Sequence, residues 1–177
     1  MKMSRTKDEN DPLSEEIKEC NSFSPDLAVD IHNNAGGGDG AEAFYHYGGG
    51  KSKVLAENIL AEVVKIGQNS RGAKIRKNSN GKDYYGFIRE TACPAVIVEC
   101  AFVDNATDLK ILATEGKRHS MGEAIAKGIL KTLGVEFQVE RGTLYRVQVG
   151  AYLLKSNAEA MQKKIKAVGF DAFIVKE

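Results

Sequence analysis

Two residues, His32 and Glu99, have the types and settings that could do chemistry. The run Asp26-Leu27-Ala28-Val29-Asp30-Ile31-His32-Asn33-Asn34-Ala35 is opened by Ser24-Pro25 and closed by glycines between Gly36 and Gly40. Such a run predicts a buried strand that stops and hands its histidine to the loop side. Pro94-Ala95-Val96-Ile97-Val98-Glu99-Cys100-Ala101-Phe102 repeats the design, and a glutamate is costly inside an almost continuous apolar run. If the two strands lie parallel in one sheet, His32 and Glu99 emerge on the same edge, where open α/β sheets place ligand and catalytic groups. An imidazole and a carboxylate converging there point to a metal site with a general base. The competing reading is structural, with the two side chains simply hydrogen-bonded to each other.

The elements that must position these residues follow from periodicity and punctuation. A short helix begins at Pro12-Leu13, with Leu13, Ile17 and Cys20 on one face. Gly40 to Tyr47 alternates as a second strand, Ala41, Ala43, Tyr45 and Tyr47 opposing Glu42, Phe44 and His46. His46 is read as a strand or loop residue, and with Asp30 it is the fallback donor for a metal. Lys51 to Ile66 predicts an amphipathic helix whose core stripe is Val54, Ile59, Leu60, Val63 and Val64, stopped by Gly67. Asn69 to Asp83 is a polar, basic surface loop with a short edge strand over Arg71 to Arg76, and Tyr84 to Arg89 is again strand-like. Asp104-Asn105-Ala106-Thr107-Asp108 signals a helix start, and a strong helix runs from Ser120 to Leu133, with His119 exposed at its beginning. Residues 136–143 read as a linker. Beyond it a strand (Leu144 to Ala151), a helix (Asn157 to Val168, with Ala160, Met161, Ile165 and Val168 inward) and a strand (Phe170 to Val175) make a βαβ unit too small to bury a core alone. The fold class is therefore α/β: a mixed, mostly parallel sheet flanked by helices, plus this small βαβ unit.

Composition narrows the partners. The 177 residues are 42% hydrophobic and 28% charged, which provides a core for one domain and a small second unit. A formal net charge of +1 and scattered charges, with no basic stripe interleaved with aromatics, give no footprint for nucleic acid. Cys20, Cys93 and Cys100 lack a C-x-x-C spacing, so small buried hydrophobes are expected rather than a disulfide framework or a cysteine zinc site. No apolar run reaches membrane-spanning length, and Met1-Lys2-Met3-Ser4-Arg5 lacks the apolar region of a signal peptide. The triple glycines Gly36–Gly38 and Gly48–Gly50 do not lead into G-K-[ST] and are not phosphate loops.

Taken in order, Ser4-Arg5-Thr6, Leu13-Ser14-Glu15, Ile31-His32-Asn33-Asn34-Ala35, Arg71-Gly72, Ile88-Arg89, Pro94 to Glu99 and Phe102-Val103-Asp104-Asn105 resemble the zinc-dependent N-acetylmuramoyl-L-alanine amidases of bacteria and their phages. Leu144 to Tyr152 and Gly169 to Ile174 resemble the first half of a SPOR domain, a glycan-strand binder. The resemblance implies residues 1–135 as an amidase catalytic domain and residues 144–177 as a partial SPOR-like unit. It implies Zn2+ as cofactor, His32 as a ligand and Glu99 as the catalytic glutamate. Asn34, Arg71, Arg89 and Asn105 are implied as substrate-binding or supporting residues, and Gln148 and Tyr152 as glycan contacts. Peptidoglycan is the implied substrate, at the cell wall, with the non-catalytic alternative of a glycan-binding module. The family's two further zinc ligands precede the Arg5 motif, so an N-terminally truncated amidase lacking its first βα unit, crippled in activity, is the expectation.

Overall fold

The computed structural model describes residues 1–4, 7, 11–138, 148–170 and 172–176. The chain divides into two compact units, Met1–Gln138 and Val139–Glu177. In the first, the described elements run in the order α1 (Leu13–Phe23), β1 (Ala28–Asn34), β2 (Ala41–Tyr45), α2 (Lys51–Lys65), β3 (Ser70–Lys74), α3 (Gly86–Glu90), β4 (Ala95–Phe102), α4 (Ala106–Leu112) and α5 (Glu115–Leu133).

The four strands form one sheet in the order β1-β4-β2-β3. β1 pairs with β4 in parallel, β2 with β3 in parallel, and β2 with β4 antiparallel. The sheet is thus mixed and mostly parallel, with helices on both faces. Alternation along β4 sends Val96, Val98 and Cys100 to the face covered by α2 and α5, where they pack with Leu55, Ile59, Val63 and Ile125. Ala95 and Ile97 point to the other face and meet Ile17 of α1, Phe44 of β2 and Phe87 and Ile88 of α3. Burying each large aliphatic side chain in this way contributes about 1.5–3 kcal/mol. Gly128 lets α5 lie directly on α2, because a Cβ there would sit 2.5 Å from the Ile59 Cα.

Local signals fix several ends. The Asn105 side chain caps α4 by accepting from the Thr107 and Asp108 amides, and Gly134 closes α5 with φ +70°. Asp108 is fully buried and ties three elements together: its carboxylate accepts from the Gly40 amide at 2.9 Å and the Phe102 amide at 2.7 Å.

Several expectations are corrected. Tyr84 to Arg89 is not a strand: Gly86–Glu90 is the short helix α3, with Phe87 and Ile88 buried in the cluster that includes Ile17 of α1 and Ile97 of β4. On α2 the buried stripe is Leu55, Ala56, Ile59, Leu60 and Val63, while Val54 and Val64 are about half exposed, one step off the face that meets the sheet. α5 starts at Glu115 with Thr114 as its cap, so His119 lies inside a helix and not at its beginning. β1 is buried only at its start. It ends the strand order among the described residues, and Ile31 is 57% exposed.

In the second unit the expected helix forms as α6 (Lys155–Ala167). Met161 and Ile165 are half-buried, but Ala160 and Val168 are exposed, consistent with a unit too small to enclose a core. The first expected strand and most of the linker fall on residues 139–147, outside the described residues, as does the Arg5-Thr6 motif. Gln148 to Ala151 and the described part of Phe170 to Val175 carry no strand pairing. A strand is a property of a ladder, and neither segment has a ladder partner among the described residues. No described helix is long and apolar enough to cross a membrane.

Candidate active site

β1 and β4 run parallel with His32 and Glu99 as Cα partners, and on the other side of β4 Glu99 is the partner of Glu42 on β2. Register partners point to the same face of a sheet. His32, Glu99 and Glu42 therefore form one row across three strands, on the face shared with α1 and α3. Asp30, two residues before His32, joins the row's neighbourhood, its Oδ2 2.9 Å from His32 Nε2. His32, Glu99 and Asp30 floor a cleft of about 370 Å³ whose walls include Leu13, Tyr85 and Phe87, within the size range of small-ligand sites. A separate depression of about 240 Å³ between α2 and β3, around Leu60 and Ala73, holds no imidazole and is remote from this row.

The three ionisable groups differ in environment. Burial pushes the Glu99 carboxyl above its ordinary range; His32 opposes this, while Glu42 and Asp30 add to it. Its Oε2 is buried with no hydrogen-bond partner among the described residues, an unusual state for a carboxylate oxygen and one that a ligand or water would satisfy. The hydrogen bond that His32 Nε2 donates to the Asp30 carboxylate is the main reason that the imidazole is raised, outweighing desolvation. Glu42 is only 5% exposed. Burial alone would raise it, yet Lys74 and Arg71 together hold it below the ordinary range. Arg71 Nε donates to Glu42 Oε2 at 2.9 Å, Lys74 Nζ donates to the same oxygen, and Asn34 Nδ2 donates to Oε1 at 2.9 Å.

The expected site residues thus divide. The fold brings His32 and Glu99 together, and Asn34 and Arg71 meet on Glu42 beside them. Arg89 lies apart, donating to the Asp83 and Tyr84 carbonyls at 2.9 and 3.1 Å, and Asn105 serves as a helix cap that also donates to the Gly38 carbonyl. Gln148 and Tyr152 are exposed in the second unit. His46 is not near Glu99's row; its Nε2 lies 3.2 Å from the buried Asp83. Glu42 was not assigned from sequence, and Asp30 was weighed there only as a fallback metal donor, not as the hydrogen-bond partner of His32. The available signal for Glu42 was a carboxylate in an apolar strand flanked by alanines, the same oddity that marked Glu99.

The comparisons decide the family. Residues 1–131 match the family profile described as N-acetylmuramoyl-L-alanine amidase. The chain belongs to the N-acetylmuramoyl-L-alanine amidase family. Residues 123–176 match the SPOR domain profile. The amidase CwlM of Bacillus licheniformis is 33% identical over 98% of this chain, and the sporulation-specific amidase of Bacillus subtilis is 30% identical over 98% of it. The chain spans 66% of the length of each of these relatives. Among solved structures, Cwp6 from Clostridium difficile superposes with a TM-score of 0.71 at 38% identity, over 73% of this chain and 21% of that one. The catalytic domain of CwlV from Paenibacillus polymyxa superposes with a TM-score of 0.64 at 26% identity, over 75% of this chain and 71% of that one.

Amidases of this family are generally zinc-dependent. A catalytic zinc takes three protein ligands and an open position. Among the described residues no group of three His, Cys, Asp or Glu side chains could hold a metal. The donors at hand, the His32 imidazole and the Asp30 carboxylate, are too few for such a site.

Proposed function

We propose that this amidase-family chain hydrolyses the amide between the lactyl group of N-acetylmuramic acid and L-alanine in peptidoglycan, at the cell wall. The observation that carries the reading is the buried, unpartnered Glu99 Oε2 on the floor of the cleft beside His32. A carboxyl raised by burial is suited to take a proton from water and then give it to a departing amine, since its pKa moves toward the working pH. Glu99 would take the proton of the attacking water as it adds to the lactyl carbonyl, and pass it to the alanine nitrogen as the C–N bond breaks. Zn2+ is the proposed cofactor, with His32 as one ligand, although the described donors do not complete its site. Asp30 holds the His32 ring in a fixed orientation, the usual partnership of a ligating imidazole with a carboxylate. Asn34 and Arg71 support the site through Glu42. In this proposal residues 1–135 are catalytic, 136–143 link, and 144–177 are a SPOR-like wall-binding unit in which Gln148 and Tyr152 face the glycan.

The short donor set favours a second reading, a module that holds peptidoglycan without cutting it. One experiment separates the two. Purified cell walls are incubated with the chain, with and without added zinc, and newly freed alanine amino ends are counted beside Glu99→Gln. Release by the wild type, lost in E99Q with wall binding kept, supports catalysis by Glu99. Binding with no release from either protein supports the binding module, and equal release from both removes Glu99 from the mechanism.

A further inference from the structure

The charge of this chain is unevenly placed. Between Asn69 and Glu90 six cations and two carboxylates leave +4, against +1 for the whole chain. Arg71, Lys74 and Arg89 are engaged with carboxylates. Arg76, Lys77 and Lys82 are exposed and have no carboxylate within ion-pair range among the described residues. The first two sit on aromatic rings: the Arg76 guanidinium lies 3.9 Å from the Tyr84 centroid and the Lys77 ammonium 4.7 Å from that of Tyr47. Tyr47 and Tyr84 are themselves 46% and 48% exposed. Folding therefore assembles a basic and aromatic strip that is invisible in the linear sequence, where Tyr47 is 30 residues from Lys77.

The strip is rigid. The Asn78 side chain accepts from the Asn80 and Lys82 amides at 2.9 and 3.2 Å, closing the turn, and the Tyr84 amide donates to the Arg76 carbonyl at 2.8 Å. Buried Asp83 accepts from the Tyr47 amide at 2.9 Å, which fastens the loop after β2 to this turn. The strip is also continuous with the cleft. Arg76 Nη1 donates to the Tyr85 hydroxyl at 3.3 Å, and Tyr85 is a wall of the cleft above Glu99.

We propose that the strip formed by Arg76, Lys77, Tyr84 and Tyr47 binds the carboxylate-bearing peptide stem of the substrate while the stem's first amide lies at Glu99. The inference rests on the amidase reading, which places a stem with free carboxylates on one side of the scissile bond. Tethered cations that need no desolvation of a buried partner are suited to such anions, and the tyrosine rings beneath them keep both side chains extended toward solvent. A stem leaving the cleft past Tyr85 meets Arg76 first.

The test is direct binding, which does not depend on turnover. The chain and the double variant Arg76→Gln/Lys77→Gln are titrated with soluble muropeptides carrying free stem carboxylates, with the same muropeptides amidated at those carboxylates, with glycan oligomers lacking stems, and with a phosphodiester polymer. Both positions are exposed, so the variant keeps the fold, as its melting temperature checks. The expected result is on the order of fivefold weaker binding of the free-carboxylate stem in the variant, as loss of two exposed charge contacts implies. Amidation should produce a similar loss in the wild type and none further in the variant, and added salt should shrink the difference. Equal stem binding by both proteins overturns the proposal, as does a loss confined to stem-free glycan or to the phosphodiester polymer. Failure of the amidase reading is seen separately, as stem binding and its carboxylate dependence intact with no alanine amino ends released from walls.

Discussion

Glu42 and Glu99 are register partners on adjacent antiparallel strands, yet their carboxylates occupy opposite electrostatic states. Glu42 receives Arg71, Lys74 and Asn34; Glu99 leaves one oxygen buried and unpartnered. Neighbouring carboxyls whose environments push them apart are the pattern an acid/base centre requires, and in the proposed mechanism the ion-paired Glu42 would serve as scaffold and the raised Glu99 as the reacting group.

Replacing Glu99 by Gln removes the proposed base at unchanged shape. Wall hydrolysis should fall by about 10²–10⁴-fold, the usual weight of a positioned acid/base group. Because the folded state raises this carboxyl, its ionisation costs stability above the unfolded carboxylate pKa, most fully above the folded one. The variant should therefore melt higher than the wild type at neutral pH, with the gap closing in acid. A lower melting temperature at neutral pH would contradict the assigned environment.

Glu42→Gln has the reverse signature. It leaves Arg71 and Lys74, each about a third exposed, without their carboxylate, at a cost of about 1–3 kcal/mol once solvent screening is allowed for. The folded state lowers this carboxyl, so its stabilisation is present above the unfolded pKa and is lost as the pH falls through the folded one. Urea unfolding should show a large difference from wild type at neutral pH and a small one in strong acid.

Asp104 fastens the glycine loop after His32, its Oδ2 accepting from the Gly36 and Gly37 amides, each at 2.8 Å. These two bonds hold the carboxyl below the ordinary aspartate range. Asp104→Ala, which removes the acceptor, should abolish hydrogen-exchange protection of both amides while leaving the β4 amides protected. In the wild type the same protection should persist at neutral pH and disappear only as the pH drops through the lowered pKa. Equal protection in the variant would show that the backbone alone holds the loop.

Gly128→Ala tests how closely α5 lies on α2. The added Cβ would meet the Ile59 backbone at 2.5 Å, so the helices must part, at about 1–3 kcal/mol and with a lower melting temperature. Gly122→Ala on the same helix meets nothing within 4 Å and should be neutral or slightly stabilising.

The sequence by itself determined what is local. The apolar run of β4, the helix start at Asp104–Asp108 and the Gly134 stop depend on a few neighbouring residues and form as expected, whereas His32 and Glu99, expected at strand ends, lie inside β1 and β4, which run on to Asn34 and Phe102. The parallel pairing of β1 with β4 was only a condition at the level of sequence, and the packed sheet meets it. What only the tertiary structure decided is non-local. β2 lies between β4 and β3, antiparallel to the first and parallel to the second, which brings Glu42 opposite Glu99 and delivers Arg71 and Lys74 to it from a strand some thirty residues away. The helix at Gly86–Glu90 depends on two faces being buried at once, by α1 and by β4, which no local period encodes. The basic and aromatic strip arises likewise, because Asp83 ties the β2 loop to the turn after β3. Charge and apolar pattern are written along the chain, but which charges face one another is set by strand order, and strand order is a property of the packed sheet.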